Sequence, residues 1–181
     1  PVTEVADDSI LLDFADEQSY VQTRFATTTL ALLLTHLGED VEGAAADGES
    51  ALAQPLPFDV ARFDHYVFLG RGWTVGLANE AALKFRECAA AWTESYTAME
   101  YRHGPISVAG SRTLVWPLEP LDDDLVRTIL ETGASLVPDG LHPMARLILI
   151  QRAAVALAEA RGMDPDRPRH LPRSVVLEAP R

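Results

Sequence analysis

The sequence predicts an α/β fold: a three-layer sandwich in which a mostly parallel sheet is flanked by helices. Short apolar runs typical of buried strands alternate with segments of helical periodicity along most of the chain. The helical segments are long enough to connect one strand to a parallel neighbour, as in βαβ units. The length of 181 residues suffices for one domain with a sizeable core.

The first 57 residues carry the weaker signals. A short strand is predicted at Ile10–Phe14, with no upstream strand in this sequence to pair with. Gln18–Leu37 has apolar residues at helical spacing and stops at Gly38, which predicts a helix; its threonines lower helix propensity, so we expect tertiary packing to hold it. Glu39–Pro57 is acidic and rich in Ala and Gly, and we interpret it as an exposed connector, helical in part at most.

The alternation is sharper from residue 58 onward. A buried strand at Tyr66–Leu69 leads through a glycine turn into a helix from Thr74 to Trp92. The other predicted strands are Trp92–Tyr96, Ser111–Trp116 and Ala134–Val137, and the other predicted helices are Leu121–Glu131 and Met144–Arg161. A polar, proline-rich tail ends in an extended stretch, Ser174–Leu177.

Composition limits the classes of function. The formal net charge of −12 argues against a nucleic-acid partner, because phosphate backbones are held by clustered Lys and Arg. The single cysteine, Cys88, excludes an internal disulfide and a cysteine-based zinc site. No apolar run approaches the ~18 residues that a membrane span needs, and no signal-like segment is present, so we expect a cytoplasmic protein without a membrane partner.

The helix after the glycine turn carries a charged triplet. Glu80, Lys84 and Glu87 are spaced i, i+4, i+7 and therefore lie along one helix face. A lysine between two carboxylates could bind an anionic substrate while a carboxylate acts as a base. The alternative is a solvated face with two ordinary ion pairs.

Three other segments could contribute to a site. The turn Gly70-Arg71-Gly72 lets backbone approach a ligand at a helix N-terminus, although it could equally be a plain tight turn. His103 precedes Gly104-Pro105, where a loop could hold an imidazole at a pocket edge or simply form a surface turn. Arg167–Ser174 is a local basic patch that could contact phosphate or dock on the acidic body of the protein.

Taken in order, these motifs resemble the SIS (sugar isomerase) family. The similar segments are Phe68–Gly72, Glu80–Lys84 through Glu87, His103-Gly104-Pro105, and Asp164–Arg169 with Leu171 and Ser174-Val175. They match the second SIS domain of two-domain phosphosugar isomerases and deaminases, and are similar to the isomerase half of glucosamine-6-phosphate synthase. The resemblance implies a closing strand of a mostly absent first SIS domain at 1–16, a linking helix and connector at 17–57, the second SIS domain at 58–163, and a tail completing the site at 164–181.

The resemblance also implies roles for individual residues. Glu87 matches the catalytic carboxylate that moves a proton between C1 and C2 of the open-chain sugar, with Lys84 as its catalytic neighbour. His103 matches the histidine linked to ring opening, which in relatives reaches the site of an adjacent subunit. Arg173 falls where the synthase has a lysine, and arginine can contact substrate but cannot form a Schiff base. The remaining residues expected to bind substrate are Gly70, Arg71, Gly72, Glu80 and Arg102.

These implications predict a phosphosugar aldose–ketose isomerase, acting on an amino-sugar phosphate and with or without deamination, that uses enediol-type proton transfer. The chemistry calls for no metal or cofactor, and no metal-ligand spacing is visible in the sequence. The Ser/Thr-rich phosphate loop of the family is missing from these residues, so we expect an incomplete site in this chain alone and a homodimer or higher oligomer sharing sites between subunits. The alternatives are a non-catalytic phosphosugar-binding SIS module of a regulator and a structural dimerisation half.

Overall fold

The centre of the protein is a four-stranded parallel sheet with strand order β2-β1-β3-β4. The computed structural model describes residues 2–170. The strands are β1 (His65–Gly70), β2 (Trp92–Thr97), β3 (Thr113–Pro117) and β4 (Ser135–Leu136). All three pairings are parallel, and Phe68 in the middle of β1 is level with Ser95 and Trp116. Five of the six residues of β1 are buried, as expected for a strand covered on both faces.

Helices cover both faces of the sheet and complete the three layers. They are α1 (Arg24–His36), α2 (Val41–Ala53), α3 (Thr74–Ala89), α4 (Ala98–Tyr101), α5 (Asp123–Glu131) and α6 (Pro143–Ala160). Tyr66 and Phe68 share one core with α3 and α6, whereas Val67 and Leu69 share a second core with α4 and α5. The predicted α/β class and layer order are therefore confirmed.

The strands and helices predicted after residue 58 are present, with boundaries shifted by at most three residues, and the short helix α4 was not predicted. The expected stretch at Ser174–Leu177 lies outside the described residues. Short 3-10 helices occupy Val2–Glu4, Asp13–Ala15, Val60–Arg62 and Pro105–Val108. Among the helices of residues 2–170, none combines the length and the apolar character required to cross a membrane.

The predicted strand at Ile10–Phe14 is wrong. Residues 9–12 have no regular structure, and the chain then forms the 3-10 helix Asp13–Ala15. No strand of the described sheet lies beside this segment to accept its hydrogen bonds, and a strand cannot exist without a partner. Ile10 and Phe14 are instead 70% and 74% exposed.

The helix predicted at Gln18–Leu37 begins later, at Arg24. The Glu17 carboxylate accepts the backbone N–H groups of Thr23 and Phe25 at 2.9 and 2.8 Å, which holds the preceding residues in a loop. Of the described α1 side chains only Leu34 is buried. Packing within residues 2–170 therefore supports α1 less than the sequence led us to expect.

The connector predicted at Glu39–Pro57 is mostly helical, so that interpretation is also wrong. The carboxylate of Asp40 caps α2 by accepting the N–H groups of Glu42 and Gly43. Buried small residues let α2 approach α6: a Cβ at Gly48 would lie only 3.3 Å from Cδ1 of Ile148. Tertiary packing thus stabilises a helix whose own composition favours it weakly.

Candidate functional site

The predicted triplet on α3 forms a compact ionic cluster. Nζ of Lys84 lies 2.8 Å from Oε2 of Glu87 and 3.3 Å from Oε1 of Glu80. Lys84 is only 4% exposed, and both carboxylates are largely buried, so a solvated helix face does not describe this arrangement. The helical spacing explains the geometry, because positions three and four apart meet on one face.

The cluster is joined to the N-terminal segment by a contact that sequence reasoning missed. Lys84 Nζ donates a hydrogen bond to the backbone carbonyl of Gln22 at 2.9 Å, across 62 positions of sequence. A backbone carbonyl carries no signature of residue type, so no motif could have identified it. A compositional signal was nevertheless available, because Lys84 is the only lysine among the 15 basic side chains of the chain.

Burial tunes the ionisable groups around this cluster. Burial raises the pKa of the Glu80 carboxyl above its ordinary value; the Lys84 ammonium opposes that effect and the Glu87 charge adds to it. Burial also raises the pKa of the Cys88 thiol to about 11, which keeps the thiol protonated near neutral pH. Cys88 belongs to the main core, as the sequence predicted for a small buried residue.

Lys84 and Cys88 line a cavity of about 830 Å³, whereas Glu80 and Glu87 are not among its lining residues. Its wall is completed by the N-terminal segment around Ser19 and Val21, by α6, and by the turn Asp164-Pro165-Asp166. Ser19 Oγ donates to Asp166 Oδ1 at 3.1 Å, which ties two of these walls together. The volume falls within the range of small-molecule pockets in proteins.

α6 contributes polar groups to the cavity that the sequence analysis did not single out. Gln151 lines the cavity, and its buried Nε2 finds no acceptor among the described residues. Arg152 also lines the cavity, but its guanidinium donates to the carbonyls of Ala51 and Gln54 and thereby ties α2 to α6.

The glycine turn lies at the other end of α3, where β1 ends. A Cβ at Gly70 would be 2.4 Å from the carbonyl oxygen of Thr74, so this position requires glycine. Gly72 has a φ of +54°, which also favours glycine. Arg71 donates its N–H to Oγ1 of Thr74, and its exposed guanidinium lies 3.4 Å from Asp122. None of these residues lines the cavity beside Lys84.

His103 lies in the turn after α4 and is exposed, and Arg102 beside it is half-buried. The backbone N–H of His103 donates to the carbonyl of Glu100 at 3.0 Å, which fixes the turn. Neither side chain lines the cavity or hydrogen-bonds to the cluster on α3. Arg173 lies outside the described residues.

The fold and the site define an α/β domain with a largely buried carboxylate–lysine cluster beside a cavity. No protein-family model matches the chain. It is 28% identical over 175 residues to a glutamine–fructose-6-phosphate aminotransferase (isomerizing) of Synechocystis, covering 80% of this chain and 27% of the relative. The corresponding protein of Agrobacterium fabrum is 30% identical over 155 residues, covering 69% of this chain and 26% of the relative.

Solved structures agree with these sequence relatives. The crystal structure of glucosamine-6-phosphate deaminase from Thermotoga maritima matches with a TM-score of 0.71 and 26% identity, over 92% of this chain and 61% of that one. Tagatose-6-phosphate ketose/aldose isomerase from Escherichia coli shares the fold, with a TM-score of 0.66 and 18% identity over 93% of this chain and 59% of that one. The chain belongs to the SIS family of phosphosugar isomerases and deaminases. It spans about a quarter of the length of the curated relatives it matches.

Proposed function

We propose that the protein containing this chain interconverts an aldose phosphate and a ketose phosphate, with an amino-sugar phosphate as substrate and with or without release of the amino group. The observation that supports it is the Glu80–Lys84–Glu87 cluster, in which the buried Lys84 ammonium lines a cavity of small-molecule size and holds the Glu87 carboxylate. Glu87 itself is not among the residues that line this cavity. The relatives named above act on hexose and hexosamine phosphates, which supports the substrate class.

Glu87 is the base in this proposal. It removes the proton from C2 of the open-chain aldose, the C–H electrons form the C1=C2 double bond, and O1 takes up a proton as the carbonyl becomes an enediol. Glu87 then returns its proton to C1. In a sugar with oxygen at C2, O2 loses its proton and the ketose is left; in an amino sugar the C2 nitrogen loses a proton instead, and the resulting C2 imine takes up water and releases ammonia to give the ketose. Its Oε2 is engaged by Lys84, so Oε1 is the oxygen available to the sugar.

His103 and Arg102 act at the sugar ring and the substrate's polar groups in this proposal. Because His103 is exposed and does not line the cavity beside its own Lys84, we assign it to the site of a second copy of the chain. The family resemblance further assigns substrate contacts to Arg173 and to the turn Gly70-Arg71-Gly72, although this turn does not line the cavity beside Lys84. The buried Nε2 of Gln151 is an additional donor for a sugar hydroxyl.

The proposed site needs residues beyond this chain. We assign residues 58–163 to a second SIS domain, 17–57 to the link before it, 1–16 to the end of a first SIS domain, and 164–181 to a tail that completes the site. The phosphate group of the sugar would be held by that first domain. These assignments are consistent with the quarter of the relatives' length that the chain spans.

Solvent exchange tests the function directly. The full-length protein is incubated in D₂O with a panel of hexose and hexosamine 6-phosphates, and deuterium at C1 or C2, isomer formation and ammonia release are measured. Exchange with at least one sugar is expected, and Glu131→Gln on α5 is the control carboxylate that leaves it unchanged. Binding of a sugar phosphate without exchange would contradict catalysis and indicate a phosphosugar-binding module.

A further inference from the structure

We infer that Lys84 is a positioning residue: it fixes the Glu87 carboxylate against the N-terminal segment, and it neither carries a proton nor forms an imine with the sugar. The inference rests on the proposed role of Glu87. It revises the catalytic role that the family resemblance implies for Lys84. It also predicts that the only lysine of these 181 residues is protected from amine reagents in the folded protein.

The hydrogen-bonding capacity of Lys84 is fully used. An ammonium has three N–H donors and no acceptor. Nζ has three acceptors within reach: Oε2 of Glu87 at 2.8 Å, the carbonyl of Gln22 at 2.9 Å and Oε1 of Glu80 at 3.3 Å. No donor is left for a sugar oxygen, and at 4% exposure water has little access.

Imine formation and proton transfer would both require Lys84 to give up its three hydrogen bonds. An imine forms only from a neutral amine whose lone pair attacks the carbonyl carbon, with loss of water. A proton carrier must likewise become neutral during the cycle. Either change would remove charge-assisted hydrogen bonds and leave two largely buried carboxylates without their cation.

The ionic cluster instead fixes the position of the Glu87 carboxylate. One acceptor of Lys84 belongs to the segment before α1 and two belong to α3, so the ammonium joins two walls of the cavity. Glu80 supplies the second negative charge and shares the ammonium with Glu87. The other ionisable groups that line the cavity with Lys84 are Glu17, Cys88, Arg152, Glu159, Asp164 and Asp166.

Removing the charge of Lys84 and removing the charge of Glu80 should shift the acidic limb of the pH profile of kcat/KM in opposite directions. Lys84→Met removes the cation that favours the ionised base, so the limb rises by about 1–3 pH units, the size of the effect of one nearby opposite charge. Glu80→Gln removes a competing anion, so the limb falls. Arg86→Met is the matched control, because it removes a cation from the outer face of the same helix, where Arg86 donates to Oγ1 of Thr93.

Lys84→Arg is a second variant that keeps the positive charge, and it serves in case Lys84→Met does not fold. The acidic limb of its kcat/KM profile is expected to stay near that of the wild type while kcat falls. Shifts of the same sign in Lys84→Met and Glu80→Gln, or no shift in either, would overturn the positioning role. An equal shift of the acidic limb in Arg86→Met would also overturn the positioning role, because the shift in Lys84→Met would then reflect only the change in net charge.

Chemical labelling of amines tests the same inference without measuring enzyme turnover, because it reports whether the Lys84 amine can react. The native full-length protein is treated with an amine-reactive ester, or with borohydride and each sugar phosphate, and the peptide containing Lys84 is analysed by mass spectrometry. Lys84 is expected to stay unmodified until the protein is unfolded. Modification of Lys84 as fast as that of an exposed amine, or a borohydride-trapped sugar adduct on Lys84, would overturn it. If no sugar phosphate is turned over, the proposed function fails, and protection of Lys84 is still decided by the ester.

Discussion

The turn between β1 and α3 leaves no room for one added methyl group. At Gly70→Ala the new Cβ would lie 2.4 Å from O and 2.5 Å from C of Thr74, and 2.6 Å from N of Val75. The shortest contact is about 0.6 Å inside the 3.0 Å limit that real Cβ atoms respect. All three atoms are backbone of the first turn of α3, so no side-chain rotation can relieve the contact.

The change in stability follows from which atoms must move. Overpacking that forces backbone shifts costs about 1–3 kcal/mol, and we expect the upper end because α3 itself must move. Gly76→Ala is the matched control: it adds the same methyl to the same helix, with nothing within 4 Å. It should stabilise the protein by about 0.5–1 kcal/mol through helix propensity.

Urea unfolding followed by the fluorescence of buried Trp116 measures both variants. The account predicts unfolding free energies that differ by about 3–4 kcal/mol between Gly76→Ala and Gly70→Ala. A Gly70→Ala protein within about 1 kcal/mol of wild type would refute the tight turn, and with it the reason for glycine at this position.

Three other substitutions test separate parts of the fold. Asp40→Ala should destabilise the protein by about 1 kcal/mol, because two N–H groups at the start of α2 lose their acceptor; equal unfolding curves would contradict a capped helix there. Burial acts to raise the pKa of the Glu17 carboxyl, but hydrogen bonds from the backbone N–H groups of Phe25, Arg24 and Thr23 hold that pKa below its ordinary value. Glu17→Gln should therefore destabilise the protein at neutral pH. The difference in unfolding free energy between variant and wild type should vanish as the pH falls below about 4. A difference in unfolding free energy that does not change with pH would contradict a stabilising role of the ionised Glu17 carboxylate. Tyr101→Phe should be neutral or stabilise by up to about 1 kcal/mol, since its buried hydroxyl has no partner among the described residues; a clear loss of stability by thermal unfolding would contradict this.

The segment from β1 to α3 could be predicted because each signal is local. An apolar run, two glycines and a helical pattern follow one another directly in sequence, and the structure keeps that order. The i, i+4, i+7 spacing was likewise enough to place Glu80, Lys84 and Glu87 together, since helix geometry alone brings them into contact.

α2 could not be predicted because its stability is not local. Its Ala, Gly and acidic residues look like an exposed connector, yet Ala44, Gly48 and Ala51 are buried and pack toward α6, about 100 positions later in the sequence. The expected strand at Ile10–Phe14 failed for the complementary reason, because strand formation depends on a neighbour that local sequence does not reveal.

The cavity shows the same limit for the site. The Gln22 carbonyl and the free Nε2 of Gln151 become visible only when distant segments meet, and neither forms a motif. The family resemblance identified Lys84 as a site residue, but only the three contacts at Nζ indicate that its donors are already used.

The most direct test of the central claim is proton exchange by Glu87→Gln in the full-length protein. The substitution keeps the shape of the side chain and removes the base. The account predicts that deuterium exchange at C1 and C2 is abolished while sugar-phosphate binding, measured by calorimetry, is largely retained. Exchange at the wild-type rate in Glu87→Gln would contradict the assignment of Glu87 as the base.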